Sequence, residues 1–258
     1  MSQVFDAYAA YYDLLYRDKD YRGEVAYLNR LLEKHAPGSR SLLELGCGTG
    51  GHALQLARLG HAVHGIDFSE TMLDRARQEA AAQRSTRAGS LSFEHGDIRS
   101  WRSTMRYDAA LSLFHVFSYQ TSDEDIRAAI ATAASSVRPG GVLLADFWHG
   151  PGVVATGPEP RSRVLENESV RVTRLARPVH RADAHRVDVR FDMQVEDLRT
   201  GCREEFHEIH EMRYFFRDEL ENWLTEAGME LVAHHAWLAE EAPSERDWAA
   251  LLVARLPG

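Results

Sequence analysis

The sequence predicts an α/β protein built on a mostly parallel sheet, and three stretches carry that prediction. Ser41–Gly50, SLLELGCGTG, reads as a buried strand running into a glycine turn that opens a helix. Ala62–Ile66 repeats the pattern and ends in Asp67, and Val142–Phe147 repeats it again after VRPGG, so strands recur at the spacing of βα units. In such sheets ligands sit beyond the carboxyl ends of the strands, where Gly46, Gly48 and Gly50 let the backbone approach with no Cβ in the way.

The next elements narrow the ligand. Asp67 stands where a carboxylate accepts hydrogen bonds from ribose hydroxyls. A third strand, Leu91–Phe93, leads to His95, Gly96, Asp97 and Ile98. That places a second carboxylate beside an apolar wall at the same edge, an arrangement that suits an adenine. Phe68 and Met72 supply the opposite wall. Gly46, Gly48 and Gly51 also satisfy G-x-G-x-x-G, so a nicotinamide dinucleotide stays open beside a nucleoside. The absence of Lys and Arg from Ser41 to Ala57 leans away from a pyrophosphate, although helix N-terminal amides alone can hold one.

The ordered series ELGCGTG, GIDFSETML, HGDI, ALSLF and VRPGGVLLADF, from Leu42 to Phe147, resembles the class I S-adenosylmethionine-dependent methyltransferases. The resemblance implies a Rossmann-like fold with a seven-stranded, mostly parallel sheet and an antiparallel terminal hairpin. It also implies S-adenosylmethionine as cofactor, bound by Glu44, Gly46, Cys47, Gly48, Gly50, Asp67, Phe68, Met72, Asp97, Ile98 and Phe114. Upstream, FDAYAAYYDLLYRDKDY spaces Tyr8, Tyr12 and Tyr16 four apart on one helical face, which reads either as an amphipathic helix on the core or as a lid. This segment is similar to that of the amino-sugar N,N-dimethyltransferases of macrolide biosynthesis. That similarity implies that Tyr12 and Tyr21 contact the methionine part of the cofactor and that Tyr8 faces the substrate. Glu24–His35 follows as a second helix, ended by Pro37 and Gly38.

The fourth strand, Tyr107–Phe114, delivers His115 and Tyr119 to the edge where a transferred group would sit. His115 titrates near neutrality in solution, at about 6.5, so it reads as a proton acceptor or as a structural hydrogen-bonder. Tyr119 occupies the position at which relatives place a polar ring facing the amine, with tyrosine here where some have histidine. After the fifth strand, Trp148 reads as an acceptor wall and His149 as its polar tip, against a packed aromatic and a surface histidine.

From Arg161 the period changes. Val187, Val189, Phe191, Met193 and Val195 alternate with polar residues, which marks a half-buried antiparallel strand with neighbours at Ser169–Arg177 and Glu204–Tyr214. The resemblance implies that this β insertion after strand five covers the acceptor or joins two copies as a homodimer. Arg217–Ala227 is the last crossover helix, and Leu231–Leu238 with Trp248–Ala254 form the hairpin. The chain divides as one domain into a lid (1–38), a cofactor core (39–150), the insertion (151–203) and the completion of the sheet (204–258).

Composition bounds the partners. A chain of 258 residues, 44% hydrophobic, carries one sizeable core. A net charge of −9 argues against a nucleic-acid backbone, no run of membrane-spanning length is present, and two cysteines make no disulfide framework, so a cytoplasmic protein is expected. No metal is expected, because His207 and His210, like His61 and His64, lie three apart in strands and so on opposite faces. Cys47 reads as a small filler. The leading functional reading is N-methylation of an amino sugar, nucleotide-linked, with Arg161, Arg163 and Arg174 as candidate phosphate contacts. O-methylation of a small hydroxylated metabolite, NAD-dependent oxidoreduction and cofactor binding without chemistry stand as alternatives.

Overall fold

A computed structural model of the chain describes residues 11–12, 14–82 and 89–258. Tyr8, with the head of the expected N-terminal helix, lies outside the described residues. The sheet is built outward from β1 (Ser41–Leu45), which pairs in parallel with β2 (Ala62–Asp67) on one side and β4 (Tyr107–Ser112) on the other. Beyond β2 lies β3 (Leu91–His95), and beyond β4 lies β5 (Val137–His149). The chain closes with β10 (Glu230–Ala236) and β11 (Ala249–Arg255), β11 running antiparallel to both β10 and β5. Seven of the sheet's eleven strands, in the order 3-2-1-4-5-11-10, form the expected core with its antiparallel hairpin. The order reverses between β1 and β4, which opens a crevice at their carboxyl ends.

The central strands β1, β4 and β5 are largely buried and apolar because helices cover both faces. On one face Leu42, Ala109, Leu111, Val142 and Leu144 meet α1 (Tyr21–His35) and α2 (Gly51–Arg58). On the other, Leu43, Ile66, Ala110, Leu143 and Phe147 meet α4 (Asp123–Ser136) and α6 (Arg217–Glu226). The remaining helices are α3 (Glu70–Ala82) and the short α5 (Gly150–Thr156). Ser122 caps α4, accepting from the Asp125 N–H at 3.1 Å. Two boundaries move from the sequence expectation. α1 starts at Tyr21 rather than Glu24 because Asp20 accepts from the Gly23 N–H at 2.9 Å and caps it. β5 starts at Val137 because an irregularity in its register against β4, between Tyr107 and Ala109, accommodates Gly140 at φ 78°.

At its carboxyl end β5 forks. Trp148 and His149 pair in parallel with Tyr214 and Phe215 of β9 (Arg203–Phe215), which heads an antiparallel meander with β8 (Arg186–Asp197), β7 (Val170–Arg181) and β6 (Arg161–Glu166). The boundary expected at residue 203 therefore falls at the head of a strand that belongs to the meander, and the insertion runs to Phe215. The N-terminal segment docks on this insertion. Leu15 is fully buried among Leu165, Val172, Met193 and Val195, Arg17 Nη1 donates to the Glu166 carbonyl at 2.8 Å, and Arg163 Nη1 donates to the Leu15 carbonyl at 3.0 Å.

Candidate active site

The crevice begins at the glycine turn. The N–H groups of Gly46 and Cys47 both donate to the Ile66 carbonyl, at 2.8 and 2.9 Å, which bends the chain off β1. Gly46, Gly48 and Gly50 take φ of 74°, 54° and 78°, the left-handed region that glycine occupies without a Cβ penalty. Asp67 shapes the turn from below, accepting from the Gly48 N–H at 2.8 Å and the Ser69 N–H at 2.9 Å. A Cβ at Gly46 would come within 2.7 Å of Val116, whereas at Gly48 it would meet no heavy atom within 4 Å. The middle of the turn thus presents bare backbone to open space, and a nucleoside ligand fits there.

A buried polar line supports the turn from the α1 side. His52 Nε2 lies 2.7 Å from Glu24 Oε2, its Nδ1 lies 3.6 Å from Glu44 Oε1, and Lys19 pairs with the other Glu24 oxygen. Burial pushes the Glu24 carboxyl up, but His52 and Lys19 outweigh it and hold it below its ordinary value. Glu44 is 1% exposed, and burial, then the nearby Asp67, pushes its carboxyl up to about 8. Lys19 Nζ also sits 4.2 Å from the Phe114 ring centroid and 5.2 Å from that of Tyr21, while Tyr21 stacks edge-on to His52 at 4.9 Å. Tyr21 therefore closes over Gly51, as its ring would meet a Cβ there at 2.5 Å. Cys47 is buried, and burial followed by Glu44 and Asp67 raises its thiol well above the ordinary range, which suits a filler.

At the other end, Met72 and Ile98 are buried and Phe68 is exposed. Asp97 is engaged by Arg99, whose Nε and Nη2 donate to its two oxygens at 2.9 and 2.5 Å, while Arg99 Nη1 reaches Asp125 at 2.9 Å. The Arg99 hydrogen bonds, against a smaller effect of burial, hold the Asp97 carboxyl below its ordinary value, so it stands as an ionised acceptor.

Phe114 and His115 carry the clearest strain, both at φ 63°. Two consecutive side chains in the left-handed region cost on the order of 1–3 kcal/mol each. Asp146, 1% exposed on β5, offsets it by accepting the His115 backbone N–H at 2.9 Å. His115 Nδ1 lies 3.0 Å from the other Asp146 oxygen, without the alignment of a hydrogen bond. Asp146 and Trp148 share one face of β5, and Trp148 meets His115 at 6.4 Å and Trp248 at 5.5 Å between ring centroids. The Trp148 backbone N–H donates to Ser118 Oγ at 2.9 Å, pinning the turn that carries Tyr119. The Tyr12 and Tyr16 rings meet tilted at 4.7 Å, and Tyr16 meets Phe114 edge-on at 5.0 Å, so the tyrosine stripe ends beside Phe114. Tyr119 places its hydroxyl 2.8 Å from His210 Nδ1 on β9. Burial, then Tyr16 and Glu208, pushes its phenol well up.

One sequence reading is corrected and two segments are located. His149 lies on the opposite face of β5, buried against His234, with Nδ1 donating to the Asp247 carbonyl at 3.1 Å; the strand's alternation turns it away from Trp148, so it is no polar tip to an acceptor wall. Arg163 and Arg174 hold the N-terminal segment, Arg163 through the Leu15 carbonyl and Arg174 through Tyr16 at 3.3 Å. The described part of the N-terminal segment packs on the insertion through Leu15 and reaches the core strands at Phe114 through Tyr16 and Lys19. Several site residues were missed, Glu24, His52 and His210 among them. Asp146 and Glu208 are acids at buried strand positions, a signal visible in LLADF and in FHEIH. Lys19 and Arg99 lack any such signal. No group of His, Cys, Asp and Glu able to hold a metal occurs among the described residues.

A glycine cradle at the reversal of a parallel sheet, two carboxylates on the neighbouring strand ends and a roofed aromatic edge define the methyltransferase class of α/β protein. Residues 42–141 match the family model described as a methyltransferase domain. The chain is 31% identical over 224 residues to the dTDP-3-amino-3,4,6-trideoxy-α-D-glucopyranose N,N-dimethyltransferase of Streptomyces venezuelae, covering 86% of this chain and 90% of that one. It is 30% identical over 228 residues to the dTDP-3-amino-3,6-dideoxy-α-D-glucopyranose N,N-dimethyltransferase of Streptomyces fradiae, covering 86% and 83%. Streptomyces venezuelae DesVI superposes with a TM-score of 0.79 at 26% identity, over 97% of this chain and 98% of that structure. The chain belongs to the S-adenosylmethionine-dependent methyltransferases, in the branch that holds these amino-sugar N,N-dimethyltransferases.

Proposed function

We propose that this enzyme methylates the amine of a nucleotide-linked amino sugar. The observation that carries the reading is the roof over the acceptor edge. The insertion, which a bare methyltransferase core lacks, sets His210 against Tyr119 and Phe191 against His210. The similarity to enzymes named for dTDP-amino sugars runs through this insertion as well as the core.

Gly46, Gly48 and Gly50 would hold the cofactor against bare backbone, Asp67 its ribose, Asp97 and Ile98 its adenine between Phe68 and Met72, and Tyr12, Tyr21 and Phe114 its methionine end. Bound there, S-adenosylmethionine supplies a methyl group on a sulfonium, an electrophile already activated. The chain's task is then alignment, which contributes roughly 7–11 kcal/mol in well-oriented systems. Trp148 gives a sugar ring an apolar wall, and the strained Phe114–His115 turn, held by Asp146, aims the His115 imidazole at the acceptor. An amine needs only to be presented neutral, and His115 and Tyr119 suffice to orient it. A sugar hydroxyl would need a stronger base than this edge offers.

Incubation with S-adenosylmethionine and dTDP-amino sugars, followed by mass spectrometry, tests the reading. Mass gains of one or two methyls placed on nitrogen are expected, and methylation of hydroxylated acceptors alone overturns it. His115→Ala should keep cofactor affinity and lose at least tenfold in turnover. Unchanged turnover removes His115 from the chemistry.

A further inference from the structure

β9 buries two ionisable residues where alternation calls for apolar ones. Glu208 and His210 point inward with Met212 and Tyr214, while His207 and Ile209 between and beside them are exposed. A carboxylate in such a place is costly unless its oxygens are paired. Here the pairing makes a line: Glu208 Oε2 lies 3.2 Å from His210 Nε2, and His210 Nδ1 lies 2.8 Å from the Tyr119 hydroxyl. An ionised carboxylate only accepts, so in a neutral His210 ring this geometry places the hydrogen on Nε2 and makes Nδ1 the acceptor for Tyr119. The Tyr119 oxygen, having turned its own proton toward His210, can meet an N–H only by accepting it. Other groups bear on this line from each side. Arg174 of β7 lies over Phe191 at 5.0 Å, Phe191 meets the His210 ring edge-on at 4.8 Å, and Tyr16 of the N-terminal segment contacts Arg174.

We propose that Tyr119, His210 and Glu208 form a proton relay that takes the proton from the acceptor's ammonium, with Tyr119 as the catalytic residue and His210 and Glu208 as positioning residues supplied by the insertion. The inference rests on the amine-acceptor reading above. Aliphatic ammonium groups are protonated at neutral pH, so a proton must leave before the nitrogen lone pair can attack. The acceptor's N–H bond breaks as an O–H bond forms on Tyr119. The original Tyr119 O–H breaks as an N–H forms on His210 Nδ1. The result is a neutral amine and an imidazolium facing the Glu208 carboxylate, and the proton returns to solvent after product leaves. The insertion on this account completes the chemistry as well as covering it.

Two measurements test the relay. Nitrogen-15 NMR of the ligand-free protein should find His210 neutral with its hydrogen on Nε2. In steady-state kinetics with a dTDP-amino sugar, Tyr119→Phe should lower kcat by roughly 10²-fold or more with the sugar KM within about threefold. Glu208→Gln keeps the shape and an acceptor for Nε2 but removes the charge, and should lower kcat about tenfold with the same tautomer. A hydrogen on Nδ1, or both variants keeping kcat within threefold of the parent, overturns the relay while leaving N-methylation standing. Wild-type protein that methylates no amine overturns the parent reading whatever the tautomer.

Discussion

Gly46 and Gly48 sit two residues apart with the same handedness, yet they answer to different constraints. At Gly46 a Cβ would strike Val116 at 2.7 Å, and at Gly48 it would enter open space. Gly46→Ala should therefore cost packing as well as conformation. Gly48→Ala should cost only the left-handed conformation, about 1–2 kcal/mol, or a fall in Tm of only a few degrees, while weakening S-adenosylmethionine binding at least tenfold by calorimetry. Equal cofactor affinity in Gly48→Ala would move the site away from this turn. At this scale the sequence was legible wherever a residue type has one dominant use, as the glycines do. It was misleading at His149, because a histidine after a strand names a hydrogen-bonder but not the face on which it lies. Glu208 and His210 were hidden for a related reason: their significance comes from Tyr119, 91 residues earlier in the chain for His210.

The elements were legible by period, but their docking was not. Four-residue spacing of tyrosines marks a helical face without saying what covers it, and the structure sets that face on β6–β8 through Leu15. Because Lys19 and Tyr21 follow on the same segment and reach Phe114 and His52, the insertion, the segment and the cofactor turn are joined through a few contacts. Leu→Ala changes in buried sites cost roughly 2–5 kcal/mol. For Leu15→Ala that loss should fall on the docking. Hydrogen exchange should rise at residues 14–18 and along β6, and cofactor affinity should drop, with a smaller fall in Tm than Leu42→Ala produces. Unchanged exchange and affinity would mean that the segment does not depend on the insertion.

For the whole molecule, pH sets two opposing trends. Burial lowers His234 to about 4 and also lowers His149, His35 and His61. The unfolded chain then binds more protons, so the stability these residues contribute is present above about pH 6.5 and is lost as pH falls toward 4. Glu44 works the other way: held at about 8 against an ordinary 4.5, it keeps its proton in the folded chain, so stability is lost as pH rises from 4.5 to 8. Urea denaturation of cofactor-free Glu44→Gln should show a gain over the parent at pH 8 that disappears by pH 4.5. A gain of the same size at both pH values would show that Glu44 is not held protonated by the fold. No described helix is long and apolar enough to cross a membrane.

The sequence by itself determined the strands of the parallel core and the glycine turn after β1, because these depend on local signals: apolar runs bounded by turn residues, and glycines that need left-handed backbone; the order of the strands came from the structure. It also marked the antiparallel insertion by its period of two. Only the tertiary structure decided that β5 forks into β9, that the tyrosine segment lies on the insertion, and that Asp146 restrains the strained His115 turn. The same holds for Glu208 and His210 backing Tyr119. Each of these joins residues distant in the chain, and a burial pattern reports that a side chain is covered without reporting by what.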